Sequence, residues 1–230
     1  MRLLARLRRS AAASLALSVL SCSLAACAAE DAPAAEEASA AASTRGVKAL
    51  ALFAEWQVAW KAYRFFDRVP VPSPLGLRTQ ERREISIEIA APVDHVFAVY
   101  ADVEQHVGRH PFLKEIYTHA RRVSDGVVEM DFSAIEDVPL LGVPVRLHTH
   151  AQQRTFEREL RYEVDSFDAP DVVTHQDIAF ADLGDGRTRV TESIVFETNG
   201  AAMAFTVKNG MSAHEANQAS LKAAFESGEL

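Results

Sequence analysis

Cysteine is almost missing from this chain. Only two of its 230 residues are Cys, at positions 22 and 27, so everything beyond Cys27 can form no disulfide and present no thiolate nucleophile. Catalytic signatures are missing as well: there is no Ser-His-Asp order, no glycine-rich phosphate loop and no dinucleotide glycine pattern. His106 and His110 have the i,i+4 spacing of zinc proteases, but Val107 stands where the general-base glutamate belongs. His148 and His150 alternate on a strand with Arg146 and Gln152 and read as solvent-facing. No third or fourth ligand joins either pair, so neither a metal nor another cofactor is expected. Basic charge is also in short supply. Against 32 acidic residues there are 24 Lys and Arg, which argues against a nucleic-acid partner.

Four of those arginines, Arg2, Arg6, Arg8 and Arg9, lie in the first segment, MRLLARLRR. An Ala/Ser-rich apolar stretch follows that is short for a membrane span, and together they read as an export signal over residues 1–26. It ends in Leu24-Ala25-Ala26-Cys27, which resembles a bacterial lipobox, so Cys27 is the expected lipid-attachment residue. Ala28 behind it, under the enteric sorting rule, points to the periplasmic face of the outer membrane. Removal of the signal leaves 20 basic against 32 acidic residues, net −12, so the lipid and not charge would hold the chain to a membrane.

Residues 27–46 are mostly Ala, Glu and Ser, with no large apolar side chain before Val47, and read as a disordered tether. Composition then changes abruptly. Residues 47–80 hold a helical pattern, with Phe53, Trp56, Trp60 and Tyr63 on one stripe, and a Pro-rich connector from Val69 to Gly76. Two placements are open for this helix: docked on the following domain, or lying among lipid headgroups.

The domain itself is expected over 81–230. Ile85, Ile87 and Ile89 alternate as in a half-buried strand. At Ala91-Pro92 the period changes, and Val93, Val96, Phe97 and Tyr100 fall on one helical face, with Pro92 and Asp94 suited to a first turn. A short second helix is expected from Val103 to Arg109. Six strands follow, with turn signals at Ser124-Asp125-Gly126, near Glu157-Arg158 and at Gly184-Asp185-Gly186. A helix from Ala201 to Glu226 closes the chain, with a break expected at Asn209-Gly210.

That order, and Ala91-Pro92, Val96-Phe97 and Asp102 in particular, resembles the START/polyketide-cyclase-like superfamily. The resemblance implies an α+β helix-grip fold: a curved seven-stranded antiparallel sheet wrapped around a long C-terminal helix, two short helices after the first strand, and an apolar cavity between sheet and helix. Strand alternation names the residues facing such a cavity. Tyr162 and Val164 share a side, as do Gln176, Ile178 and Phe180, then Glu192, Ile194 and Phe196, then Met130 and Phe132, with Phe97 and Tyr100 from the first helix. The polar members would orient a guest on an otherwise apolar wall. A small hydrophobic ligand (lipid, quinone or polyketide-like) is therefore the expected partner. Two other classes stay open: a cyclase or dehydratase using Glu192 or Tyr162 as acid or base, and an interaction module with a solid core.

Overall fold

The computed structural model describes residues 32–63, 65–66, 76–140, 142–168 and 171–230, with side chains from Ser43 onward. The export signal, Cys27 and nearly all of the connector lie outside the described residues. Contacts divide the chain into two units, Met1–Ser43 and Thr44–Leu230. Helix α1, Ala32–Tyr63, begins inside the segment read as a tether, so residues 32–46 are helical. Alanine and glutamate, which kept that segment from reading as core, are also strong helix formers.

In the second unit the elements run β1 (Arg78–Ile89), α2 (Val93–Ala101), a 3-10 turn (Val103–His106), six strands and α3 (Gly200–Ser227). The strands are β2 (Leu113–Ser124), β3 (Val127–Leu140), β4 (Val143–Phe156), β5 (Arg161–Asp168), β6 (Val172–Gly184) and β7 (Arg187–Asn199). All seven make one antiparallel sheet in the order β1-β7-β6-β5-β4-β3-β2. This is the expected helix-grip arrangement. Only the β7–β1 pairing joins strands distant in sequence; every other neighbour is a hairpin.

Turn chemistry makes those hairpins. Asp125-Gly126 and Asp185-Gly186 both place two successive residues at positive φ, 52° and 80°, then 54° and 70°. That is the mirror-image turn whose twist matches the flanking strands, and Asp-Gly tolerates it. Asp102 ends α2 and caps the 3-10 turn by accepting from the Glu104 N–H at 3.1 Å. The second helix is thereby shorter than expected, stopping at His106.

Helix α3 is continuous, and the break expected at Gly210 is not there. The glycine serves close approach instead. A Cβ at position 210 would lie 2.5 Å from the ring of Phe196, so only a residue without one lets α3 lie against β7 here. At its end Gly228, φ 77°, donates to Ala224 and Phe225 carbonyls and caps the helix.

The sheet buries both faces. On the concave side Ile89, Val96, Phe97, Tyr100, Ile116, Phe132, Tyr162, Phe180, Val190, Leu221 and Phe225 form the main core. The other side is covered by α1: Leu52 packs with Tyr117 and Ile135, and Trp56 and Ala59 with Phe65, Phe167 and Val173. Trp56 is 6% exposed and its Nε1 donates to the Ala151 carbonyl at 2.7 Å. Of the two placements open for this helix, the docked one is therefore observed. His150 is buried by the same docking and His148 is half-buried; both face Glu55 of α1, His148 at 2.8 Å. For His150 the expected solvent exposure fails because the sheet is covered where the alternation alone implied water.

Candidate functional site

The strand register gathers the predicted cavity residues on one face. Tyr162 lies opposite Ile178, Val164 opposite Gln176, Gln176 opposite Ile194 and Ile178 opposite Glu192. Directly paired residues share a side of the sheet, and α3 crosses that side. Two chambers lie there. The larger, about 440 Å3, is walled by Val138, Leu147, Val172, Phe196, Ala202 and Phe205, among others. Leu140 and Phe205 sit on its rim, 47% and 37% exposed. The smaller, about 140 Å3, lies between the 3-10 turn, the end of α2 and the middle of the sheet. His110, Glu136, Thr149, Ser166, Gln176 and His214 line both.

Of the twelve residues expected at the cavity, Gln176 and Phe196 line the larger chamber. Tyr100, Phe132, Tyr162, Val164, Gln176 and Glu192 line the smaller. The other five line neither. Phe97, Ile178, Phe180 and the partly buried Met130 fill the main core, and Ile194 packs with Phe196, Met203 and Val207 under the first half of α3. Alternation finds the face; it does not tell where the helix leaves a gap.

The polar walls also draw on residues the strand pattern did not single out. His214 of α3 donates from Nδ1 to Glu192 Oε1 at 2.8 Å, and Gln218 Nε2 reaches Glu192 Oε2 at 3.2 Å. Burial pushes Glu192 upward, but the His214 cation and these hydrogen bonds outweigh it and hold the carboxyl below its usual range. The same pair raises His214 against its own desolvation. A charged pair thus sits in the wall. Next to it, Asn217 Nδ2 donates to His106 Nδ1 at 2.9 Å, leaving His106 Nε2–H to donate to the Tyr100 carbonyl at 2.9 Å. Burial lowers the His106 pKa, and burial with its histidine neighbours takes His110 down to about 3, so both rings are neutral.

Across the sheet, Thr149 Oγ1 lies 2.7 Å from Glu136 Oε2 and also bonds Asp168. One hydroxyl carries one proton and cannot donate to two carboxylates, so one of the acids is protonated in this arrangement. Burial raises both groups, and Glu136 adds to the effect on Asp168, which moves to about 7. At the wall of the smaller chamber the Tyr100 hydroxyl, Asn217 Oδ1 and His110 Nδ1 are buried without a hydrogen-bond partner. Among the described residues no group of three or more His, Cys, Asp or Glu is placed to hold a metal ion. The missed signal was present on α3. His214, Asn217, Gln218 and Leu221 fall three, four and seven apart, a mixed stripe on one helical face.

No protein-family model matches the sequence, and no curated protein does either. Solved structures do match in shape. TTHA0849 from Thermus thermophilus superposes with a TM-score of 0.52 at 16% identity over 65% of this chain and 100% of its own. The Zhui aromatase/cyclase from Streptomyces sp. R1128 gives 0.52 at 16% identity over 66% and 94%. A START superfamily protein from Mycobacterium smegmatis gives 0.50 at 16% identity over 64% and 97%. The domain thus has the helix-grip fold of START and aromatase/cyclase proteins. At this identity the likeness speaks for the fold alone.

Proposed function

We propose that the protein binds a small apolar molecule between the sheet and α3, and that lipid on Cys27 ties it to a membrane of the cell envelope. The observation that carries the reading is the larger chamber: about 440 Å3, its exposed wall mostly apolar, with polar side chains such as Thr149, Gln176 and His214 among its lining. That size and lining suit an organic ligand of moderate size. Desolvation of the guest would supply the affinity, at roughly 25 cal/mol per Å2 of buried apolar surface. Anchoring rests on the lipobox-like sequence alone; no described helix is long and apolar enough to cross a membrane.

Catalysis is the second reading, and the site electrostatics decide where it would reside. A catalytic Glu192 needs a raised pKa, yet its pairing with His214 lowers it. Tyr162 is driven far above its ordinary value by burial and Glu192, so it is no base at neutral pH. The Glu136–Thr149–Asp168 cluster, by contrast, exchanges a proton near neutrality. The presence of an aromatase/cyclase among the structural neighbours keeps a polyketide-type substrate in view.

Native mass spectrometry of the full chain, purified from its own cells without denaturant, separates the readings. Carriage predicts a copurified apolar molecule that remains unchanged on incubation. Conversion of that molecule into a new product would favour catalysis. Protein that carries nothing and takes up no apolar probe would overturn both.

A further inference from the structure

The chambers are short of positive charge. Among the described residues neither is lined by a lysine or arginine, whereas Glu136, Asp168, Asp171 and Glu192 all contribute to the walls. Asp171 is matched by Arg78 at 2.6 Å, and Glu192 by His214 at 2.8 Å. Glu136 and Asp168 share only the Thr149 hydroxyl between them. An incoming carboxylate or phosphate would therefore lose its water, meet at least one further acid and find its one possible cation already bonded. Burying an unpaired ion is among the costliest steps in binding.

Neutral polar groups, by contrast, are on offer. Tyr100 is 2% exposed, and its hydroxyl, the side chain's sole polar atom, has no partner. Asn217 Oδ1 accepts nothing, and His110 Nδ1 is unbonded beside a neutral ring. A hydroxyl or phenol, able to donate and accept at once, fits this set. A carboxylate, which only accepts, finds no free acceptor-seeking cation.

Resting on the proposed binding cavity, we infer that the site selects uncharged, hydroxyl-bearing apolar molecules and rejects anionic lipids, with the hydroxyl seated in the smaller chamber against Tyr100 and Asn217. The specificity is then carried by the absence of a cation as much as by the groups present. Fatty acids and phospholipids would be poor cargo, while phenolic and alcoholic ring compounds would be good cargo.

Three probes of one shape test this on the full chain by equilibrium dialysis at neutral pH: naphthalene, 2-naphthol and 2-naphthoate. The expected order is 2-naphthol tighter than naphthalene by about fivefold, the worth of one net hydrogen bond. Naphthoate should be weaker than naphthol by about 100-fold or more, as an unpaired buried charge demands. Tyr100→Phe should erase the naphthol advantage over naphthalene, with circular dichroism and thermal melting reporting that the variant is folded. Gln176→Lys, which places a cation where the two chambers meet, should raise naphthoate affinity relative to naphthol. Naphthoate binding as tightly as naphthol to the wild type overturns the inference and leaves the cavity reading intact. So does a naphthol advantage that survives both Tyr100→Phe and Asn217→Leu. If none of the three probes binds, the cavity reading falls and this inference with it.

Discussion

The two faces of one sheet bury ionisable groups in opposite ways. Under α1, acids are matched by strong cations. Arg78, 1% exposed in its side chain, holds Glu197 at 3.1 Å, and a second nitrogen reaches Asp171 at the wall of the larger chamber at 2.6 Å. Arg122 grips Asp131 through two nitrogens, at 2.6 and 2.9 Å, and Gln152 donates to the same carboxylate at 2.6 Å. Among the described residues that line the chambers under α3, the cation is His214, and Glu136 and Asp168 are relieved by taking up a proton. A face that only has to stay folded can be neutralised with arginine. A face that must admit a guest is better kept free of long, charged side chains, and the chambers lie on that face.

The sharpest way to break this comparison is to remove an arginine from the covered face. Arg78→Met removes the buried guanidinium that bonds Asp171 and Glu197, at a cost of about 3–5 kcal/mol. Chemical denaturation should show that loss. A cost within experimental error would mean that the outer network does not hold α1's side of the sheet together.

Next in size is Gly210→Ala. Helix propensity favours the change by about 1 kcal/mol, but the added Cβ meets the Phe196 ring at 2.5 Å, an overpacking worth about 1–3 kcal/mol. Stability should fall on balance. In a Phe196→Leu background the same change should become neutral or stabilising, and additivity between the two would deny the contact.

A third effect is in pH dependence, and its sign follows from the buried acids of the chamber face. Asp168 has a folded pKa raised to about 7, so the native chain holds a proton there that the unfolded chain has already released above about pH 4. Its contribution is complete below the unfolded value and is lost as pH rises through the folded one. Asp168→Asn should therefore flatten a decline in stability between about pH 4 and 7. Urea denaturation at several pH values checks it, and an unaltered profile would mean that Asp168 is ionised in the folded protein.

Much of this fold was legible in the residues. Asp125-Gly126 and Gly184-Asp185-Gly186 marked two hairpins because few other residues accept positive φ, and the shift of period at Pro92 marked the step from strand to helix. The concave face followed from alternation. The cavity itself did not, because its volume depends on the distance between α3 and the sheet, which no local pattern encodes. Gly210 was misread for the same reason: a glycine signals freedom locally, whereas its use here is contact with Phe196 on another element. The mixed stripe on α3 also carried information. His214, Asn217 and Gln218 interrupt the stripe because they face a polar wall and not a dry core.

The central claim, an open apolar chamber under α3, is tested most directly by filling it. Ala202 lines the larger chamber, whereas Ile194 lies in packed side chains at 0% exposure. Thermal melting and binding of an apolar fluorescent probe should be measured on Ala202→Trp and Ile194→Trp together. The account predicts that Ala202→Trp loses probe binding with its melting temperature nearly unchanged, while Ile194→Trp melts lower by the effect of about 1–3 kcal/mol of overpacking. Equal destabilisation by both substitutions, with no probe bound by the wild type, would show the interior to be solid and would contradict it.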